Sequence, residues 1–224
     1  PLSLCNLERT HNYGVFEIGM SKKGEIDKLS KLVKPNIAII TNIAEAHIEN
    51  FKDLSHIAKA KGEIIDNISN TGTLIIDRDS KFFKFFKTKA EKRKVNVVSI
   101  GYNKKSDIKI DKVQNFSKYK LITIRSIGKV YKIKATSQII KNIAFAIAVL
   151  EILKLDVNKI LNKIKNIKNL EGRGKIYRSK CKNFNFNLID ESYNANPLSV
   201  KNALNSFSEI KKYKFKKYLL LGDM

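Results

Sequence analysis

Residues 13–64 decide the fold, and they read YGVFEIGMSKKGEIDKLSKLVKPNIAIITNIAEAHIENFKDLSHIAKAKGEI. Two short apolar runs lie in this stretch, at residues 15–18 (VFEI) and 37–40 (IAII). Each run is largely continuous rather than alternating, which is typical of a parallel strand buried on both faces, and a helical pattern separates them. The stretch therefore predicts a strand–helix–strand unit.

Polar groups suited to chemistry accompany both runs. Glu17 stands near the end of the first run, and four polar residues follow the second: Asn42, Glu45, His47 and Glu49. The carboxyl ends of the strands form the ligand crevice of an open α/β sheet, so we expect these side chains to converge there.

Lys61 falls on the apolar stripe of the next helical pattern, residues 54–68, whose apolar positions recur at steps of three and four. Lys59 does not. A lysine on a packed helix face is partly desolvated, which favours the neutral amine, and such an amine is nucleophilic or captures carbon dioxide as a carbamate. The alternative is that the Lys61 side chain runs along the apolar surface and keeps its ammonium group in water.

The formal charge of +23 over 224 residues raises the possibility of a polyanionic partner. The lysines are spread along the whole chain, so we take most of the charge as background and some as help toward an acidic substrate. Residues 81–87 (KFFKFFK) are the best candidate for stacking nucleic-acid bases, but the helical spacing of Phe82, Phe85 and Phe86 favours a core-facing helix. We predict no nucleic-acid partner and keep a basic nucleic-acid-binding protein as an alternative.

Cellular location is indicated by the cysteines and by the apolar segments. Cys5 and Cys181 are far apart and form no CxxC pattern, which fits a reduced cytoplasmic protein without a disulfide framework. Charged residues interrupt the longest apolar stretch, residues 139–155, so it predicts a buried helix and no membrane insertion.

The rest of the chain predicts an α/β fold with a wound, mostly parallel sheet. Strands are expected at residues 74–76 and 95–100, and residues 102–135 alternate around a turn at Gly128, which predicts a small antiparallel sheet insertion with one wet face. Helices are expected from about residue 137 and from 157 to 168. Two short strands follow around Cys181 and Leu188, then a helix capped by Asn196 and opened by Pro197, and a last strand that ends at residues 222–223.

A set of short motifs in a fixed order resembles the Mur ligases, whose central domain is P-loop NTPase-like. The motifs are Glu17-Ile18-Gly19-Met20, Gly24-Glu25-Ile26, Thr41-Asn42, Ala46-His47-Ile48-Glu49, Ala60-Lys61-Gly62-Glu63-Ile64, Gly172-Arg173, Ser192-Tyr193-Asn194-Ala195-Asn196-Pro197 and Leu221-Gly222-Asp223-Met224. Each motif alone is weak, but the ordered set covers nearly the whole chain.

The resemblance implies an ATP-dependent amide ligase of peptidoglycan synthesis, which serves cell-wall formation, cell shape and cell division. Within the family the chain is most similar to the branch that adds D-alanyl-D-alanine to UDP-N-acetylmuramoyl-tripeptide through an acyl phosphate. The implied cofactors are ATP and Mg²⁺. By resemblance Glu17 and His47 hold the metal and Lys61 is the carbamylated lysine, and these three residues are the catalytic set.

The nucleotide-binding positions are also carried over from the resemblance. They are Asn42, Asn142, Arg173, Asp190, Glu191, Tyr193, Asn194 and Asn196. Two positions depart from the family pattern. Lys141 and Phe145 stand where the family has histidine and a second asparagine, and Glu191 stands where it tends to have aspartate.

The resemblance also implies a fragment, because no G-x-x-x-x-G-K-[ST] loop is present in the sequence. We expect residues 1–212 to be a central ATP-binding domain without its P-loop strand, and residues 213–224 to lead toward a C-terminal domain. The isolated chain is then expected to be inactive, and the full-length protein a monomer. Another Mur or folylpolyglutamate-type ligase is the alternative within the same superfamily.

Overall fold

Three parallel strands form the part of the sheet that follows most directly from the sequence. The computed structural model describes residues 2–44, 50–116, 119–135, 140–164, 171–208, 210 and 216–222. Strands β1 (Ile37–Ile40), β2 (Thr73–Asp77) and β3 (Asn96–Gly101) pair in that order, all parallel. Leu74, Ile75 and Ile76 of β2 are at most 1% exposed. The continuous apolar runs therefore mark strands covered on both faces, as predicted.

The antiparallel strands extend the same sheet. Strands β4 (Ile108–Asn115), β5 (Lys120–Ser126) and β6 (Lys129–Ala135) pair antiparallel, and β4 joins β3 in parallel at Ile100 and Ile108. On β6 the alternation is strict, with Tyr131, Ile133 and Ala135 buried. The predicted antiparallel sheet is confirmed, and the α/β fold with a mostly parallel sheet is confirmed with it. A separate hairpin contains β7 (Lys175–Cys181) and β8 (Phe184–Asp190).

The strand predicted at residues 15–18 is wrong. These residues form no strand, and the side chain of Val15 is 95% exposed. A strand exists only through its hydrogen-bonded neighbour, and β1 pairs within the described chain with β2 alone. Residues 15–18 therefore do not pair with the other edge of β1, and Glu17 is not positioned by a strand.

Helices cover both faces of the sheet. The buried side chains of α5 (Ile140–Ile152) and α6 (Val157–Ile164) pack with Ile75 and Ile100 on one face. Those of α3 (Leu54–Lys61) and α4 (Phe83–Lys92) pack with Leu74 and Ile76 on the other. Phe86 of α4 is 2% exposed, which confirms a core-facing helix at residues 81–87. The helices are α1 (Leu2–Cys5), α2 (Glu25–Val33), α3 (Leu54–Lys61) with a following 3₁₀ helix (Gly62–Asn67), α4 (Phe83–Lys92), α5 (Ile140–Ile152), α6 (Val157–Ile164) and α7 (Pro197–Ser208).

The chain divides into two compact units, Pro1–Asn166 and Ile167–Met224. The predicted domain boundary at residue 212 stays a prediction. The predicted last strand is wrong for its described part, because residues 216–222 carry no strand and Leu220 is 92% exposed. Like residues 15–18, residues 216–222 have no partner strand within the described part of the chain. Across the described ranges, none of the helices combines the length and the apolar character that a membrane crossing needs.

Candidate active site

Lys61 ends α3 beside the carboxyl end of β1. Its Nζ donates a hydrogen bond to the main-chain oxygen of Asn42, at 2.9 Å, and Asn42 lies two residues beyond β1. Burial lowers the pKa of Lys61 below its ordinary value. The predicted partial desolvation of this amine is therefore confirmed, and its chemical role stays a prediction.

Local sequence explains why Lys61 lies there. Asp53 caps α3, because its Oδ1 accepts hydrogen bonds from the main-chain nitrogens of Ser55 and His56, at 2.6 and 2.9 Å. Ile57 and Ala60 face the core at 0% and 1% exposure. Lys61 lies four residues after Ile57, so it is on the same face of α3, at the end of the helix that lies beside the edge of the sheet.

Of the three predicted metal ligands, Glu17 and Lys61 lie within the described residues and His47 does not. Glu17 is exposed, and within the described residues no hydrogen bond or ion pair joins it to Lys61. His47 falls with Glu45 and Glu49 in residues 45–49, which lie outside the described chain. Among the described residues, no three His, Cys, Asp or Glu side chains cluster closely enough to hold a metal ion. The set of Glu17, His47 and Lys61 therefore stays a prediction.

A cleft opens at the carboxyl ends of β1 and β2. Its lining residues are Ile40, Thr41, Asn42, Ile76, Asp77 and Ser80, together with Ile43 and Phe86. This is the edge at which an open α/β sheet binds its ligands. The pocket itself has a volume of about 10 Å³, which is room for about one water molecule, so a ligand crevice at this edge stays a prediction.

An ion-pair cluster at the same edge was missed by the sequence analysis. Lys141 Nζ lies 2.6 Å from Asp77 Oδ2 and 3.2 Å from Asp79 Oδ2. Asp79 also accepts hydrogen bonds from the main-chain nitrogens of Tyr102 and Asn103, at 2.9 and 3.0 Å. The available signal was an aspartate directly after a buried strand. The cluster ties the start of α5 to the ends of β2 and β3.

The charges in this cluster stabilise one another. Burial alone would lower the pKa of Lys141, but its bonds to Asp77 and Asp79 outweigh burial and raise it. For Asp79, burial acts to raise the pKa, and the bonds from Tyr102, Lys141 and Asn103 outweigh it and lower the pKa.

The neighbouring helix positions explain the departure from the family pattern. Asn142 is exposed at the first turn of α5, next to the anchored Lys141. Phe145, three residues further, is 4% exposed and packs in the core. Phe145 therefore contributes to packing, while Asn142 remains accessible to a ligand.

In the second unit, Arg173, Asp190 and Tyr193 come together around a glycine turn. The main-chain nitrogen of Gly172 donates to Asp190 Oδ2 at 3.1 Å, and its oxygen accepts from the nitrogen of Tyr193, also at 3.1 Å. The Arg173 guanidinium lies over the Tyr193 ring, 4.2 Å from its centroid. Bonds from the Ser192 side chain and main chain lower the pKa of Asp190. The same glycine turn thus carries the Arg173 cation and binds the Asp190 carboxylate.

The remaining predicted nucleotide-binding residues surround this turn. Burial and the neighbouring charge of Asp190 raise the pKa of Glu191. Asn194 is exposed. Asn196 caps α7, because its Oδ1 accepts from the Ser199 nitrogen at 2.9 Å while Ser199 Oγ accepts from the Asn196 nitrogen at 3.0 Å. The predicted cap is confirmed, and ligand binding by these residues stays a prediction.

Comparison with known proteins decides the family. Residues 1–150 match the family model of the Mur ligase middle domain. The chain belongs to the Mur ligase family. Its relatives include ligases named "UDP-N-acetylmuramoyl-tripeptide--D-alanyl-D-alanine ligase", one from Rickettsia prowazekii that is 29% identical over 93% of this chain, and one from Buchnera aphidicola subsp. Acyrthosiphon pisum that is 31% identical over 100% of it.

Solved structures give the same family. MurF from Acinetobacter baumannii superposes with a TM-score of 0.80 at 25% identity, over 90% of this chain and 44% of that one. MurF from Thermotoga maritima in complex with ADP shares the fold, with a TM-score of 0.71 at 20% identity over 87% of this chain and 45% of that one. The chain spans about half the length of the curated relatives, 46% and 49% of the two named above.

Proposed function

We propose that this Mur ligase chain is the nucleotide-handling part of an ATP-dependent ligase that joins D-alanyl-D-alanine to UDP-N-acetylmuramoyl-tripeptide. The observation that carries the proposal is the desolvated Lys61 amine at the carboxyl edge of the parallel sheet. The substrate class is supported by relatives of that name, one of which aligns with the whole chain.

The proposed reaction proceeds in two steps. The tripeptide carboxylate attacks the γ-phosphorus of ATP, which forms an acyl phosphate and releases ADP. The dipeptide amine then attacks the acyl carbon, loses a proton and expels inorganic phosphate. Such transfers depend on positioning and on neutralisation of phosphate charge more than on covalent help from the protein. A fold shared with an ADP-bound ligase supports ATP as the nucleotide.

The residues at the sheet edge fit a modified lysine better than a free ammonium ion beside a metal. A lowered pKa increases the neutral fraction of Lys61. The neutral nitrogen adds to the carbon of carbon dioxide and loses a proton, which leaves a carbamate. Its oxygens suit Mg²⁺, a hard cation that prefers oxygen ligands, and Glu17 and His47 complete the proposed set. When bound, Mg²⁺ would neutralise phosphate charge.

Each unit, taken by itself, carries exposed groups that we propose for nucleotide binding. In the first unit, Asn42 and Asn142 are the proposed nucleotide-binding residues, and both are exposed. In the second, Arg173 and the Asp190–Tyr193 turn supply a cation and carboxylates of the kind that contact phosphate and ribose oxygens. Asn194 and Asn196 belong to the same proposal. The formal charge of +23 suits anionic substrates. We place the protein in the cytoplasm as a monomer, in keeping with two cysteines that lie far apart in the sequence and form no CxxC pattern.

No observation favours the nucleic-acid alternative. The aromatic segment proposed for stacking bases forms α4, and Phe86 lies in the core. Its Phe85 is 39% exposed but packs edge-on against Phe86, with ring centroids 5.2 Å apart.

The proposal is tested with the full-length protein and a substrate panel. With ATP, Mg²⁺ and UDP-N-acetylmuramoyl-tripeptide present, we expect phosphate release to depend on D-alanyl-D-alanine. Single amino acids such as D-alanine or L-glutamate serve as matched controls and are expected to give background rates. Turnover with L-glutamate but not with the dipeptide would assign the chain to another ligase of the superfamily.

A further inference from the structure

Glu63 binds the start of a helix that lies far from it in sequence. Its two carboxylate oxygens accept hydrogen bonds from the main-chain nitrogen of Gly24, at 2.9 and 3.0 Å. Oε2 also accepts from the nitrogen of Asp27, at 3.2 Å. Residues 24 and 63 are 39 positions apart. One side chain of the 3₁₀ helix thus holds the first turn of α2.

Glu63 replaces a cap that α2 cannot provide. The N-cap position is Gly24, at φ +88°, which has no side chain to accept the exposed N–H groups of the first turn. A carboxylate at a helix N-terminus satisfies those groups and interacts favourably with the helix dipole. The sequence therefore pairs a glycine in a left-handed conformation with an acid supplied from the next helical segment.

The loop in front of α2 is fixed at its other end as well. Met20 packs against the buried cluster of Phe51, Ile57 and Ala60. Ile57 and Ala60 belong to α3, the helix that ends at Lys61. Glu25 Oε2 closes the loop, because it accepts from the nitrogens of Ser21 and Lys22 at 2.7 and 3.0 Å. Residues 20–24 are therefore attached at one end to the cluster that includes α3 and at the other end to the 3₁₀ helix that follows it.

We propose that Glu63 is a positioning residue of the ligase reaction, a role that rests on the proposed function. By holding Gly24, it sets the loop that follows Glu17 at a fixed place relative to the helix turn that carries Lys61. Glu63 itself contacts no reacting atom. It acts through the loop, in the way that outer-shell hydrogen bonds orient groups at a reaction centre.

The test compares Glu63→Ala and Glu63→Gln with Asn67→Ala in the full-length enzyme. Asn67 is the matched control, because its Nδ2 also ties the 3₁₀ helix to α2, through Asp27 Oδ1 at 3.0 Å and Ser30 Oγ at 2.9 Å, without touching Gly24. We expect Glu63→Ala to lower kcat about 10- to 100-fold, as loss of outer-shell partners does. KM for each substrate should change by less than about twofold, because ground-state binding is not removed.

Glu63→Gln keeps one acceptor oxygen and is expected to recover part of kcat, which also keeps the test valid if the alanine variant folds poorly. Asn67→Ala is expected to cost similar stability with little loss of kcat. Hydrogen exchange without ligands gives a readout apart from activity: the amides of residues 21–27 should exchange faster in the Glu63 variants.

The outcomes separate the two proposals. A wild-type enzyme without dipeptide-dependent turnover would overturn the proposed function, and the role of Glu63 with it. An active wild type whose kcat is unchanged in both Glu63 variants would overturn the positioning role alone. Equal kcat losses in Glu63→Ala and Asn67→Ala would reduce Glu63 to a purely structural contact.

Discussion

At the residue scale, the buried amine of Lys61 makes stability depend on pH. Its pKa is lowered from 10.5 in the folded protein, so the unfolded chain binds more protons between the folded pKa and 10.5. Stability therefore rises with pH across that interval. We expect Lys61→Met to stabilise the protein at neutral pH, and the gain to shrink as pH approaches 10.5, in denaturant titrations at several pH values.

Lys59 is the matched control for this prediction. It lies on the same helix but is exposed. Lys59→Met should therefore give a much smaller, nearly pH-independent change. A gain for Lys61→Met that stays constant from neutral pH to 10.5 would contradict the account of a desolvated amine.

A second residue-scale prediction concerns Gly172. It adopts φ +68°, and a Cβ there would lie 2.7 Å from the nitrogen of Tyr193. A left-handed conformation costs about 1–2 kcal/mol for other residues, which corresponds to roughly 5- to 30-fold in an opening equilibrium. The clash adds to this cost. We expect Gly172→Ala to speed hydrogen exchange of the Tyr193 amide by more than about tenfold.

Gly128→Ala controls for strain elsewhere in the chain. Gly128 has a similar φ of +70°, but a Cβ there would meet no atom within 4 Å. This variant should leave the Tyr193 amide unaffected. If Gly172→Ala also left that amide unaffected, the turn would not depend on glycine.

At the element scale, Lys141 fastens α5 to the sheet. Asp77 and Asp79, its partners, have side chains only 13% and 25% exposed. Removing the cation leaves two poorly solvated carboxylates, so Lys141→Met should lower the free energy of unfolding by about 1–2 kcal/mol near pH 7. This is less than for a fully buried pair, because Lys141 itself is about a third exposed.

The cost should depend on pH with a definite sign. The pKa of Asp79 is lowered from 3.8, so its contribution is present above that value and is lost as pH falls through the folded pKa. Urea titrations at pH 7 and pH 3 should therefore show a smaller difference between wild type and Lys141→Met at pH 3. Equal differences at both pH values would mean that the ion pair contributes nothing.

Sequence patterns predicted elements whose determinants are local. Apolar runs predict strands at residues 37–40 and 74–76, where β1 and β2 lie, and the place of Asn196 before Pro197 predicts it as a helix cap. Residues 15–18 show a similar run and form no strand, because pairing depends on a neighbour that the run does not specify.

The candidate site also combines features that local sequence patterns predict with contacts that they do not predict. The desolvation of Lys61 followed from its position on a helix stripe. The bond from Gly24 to Glu63 and the bond from Lys141 to Asp77 span 39 and 64 positions. Local periodicity carries no information about such contacts, since they form only when separate segments pack together.

At the scale of the whole molecule, the two units differ in whether they have a core of their own. Among the described residues, the buried apolar side chains lie in Pro1–Asn166, from Ile26 to Leu161. In the second unit, Ile176, Phe184 and Phe186 are 60%, 76% and 46% exposed. A unit this small that buries so little apolar surface cannot offset its conformational entropy.

We therefore expect residues 1–166, produced alone, to unfold cooperatively in urea and to keep the hydrogen-exchange protection that β2 and β3 have in the whole chain. Residues 167–224, produced alone, should give poorly dispersed amide resonances and no cooperative transition, because the described hairpin and helix of this unit contain no buried apolar side chain. Cooperative unfolding of residues 167–224 would contradict this prediction, because it would show that the unit is stable through contacts other than apolar burial.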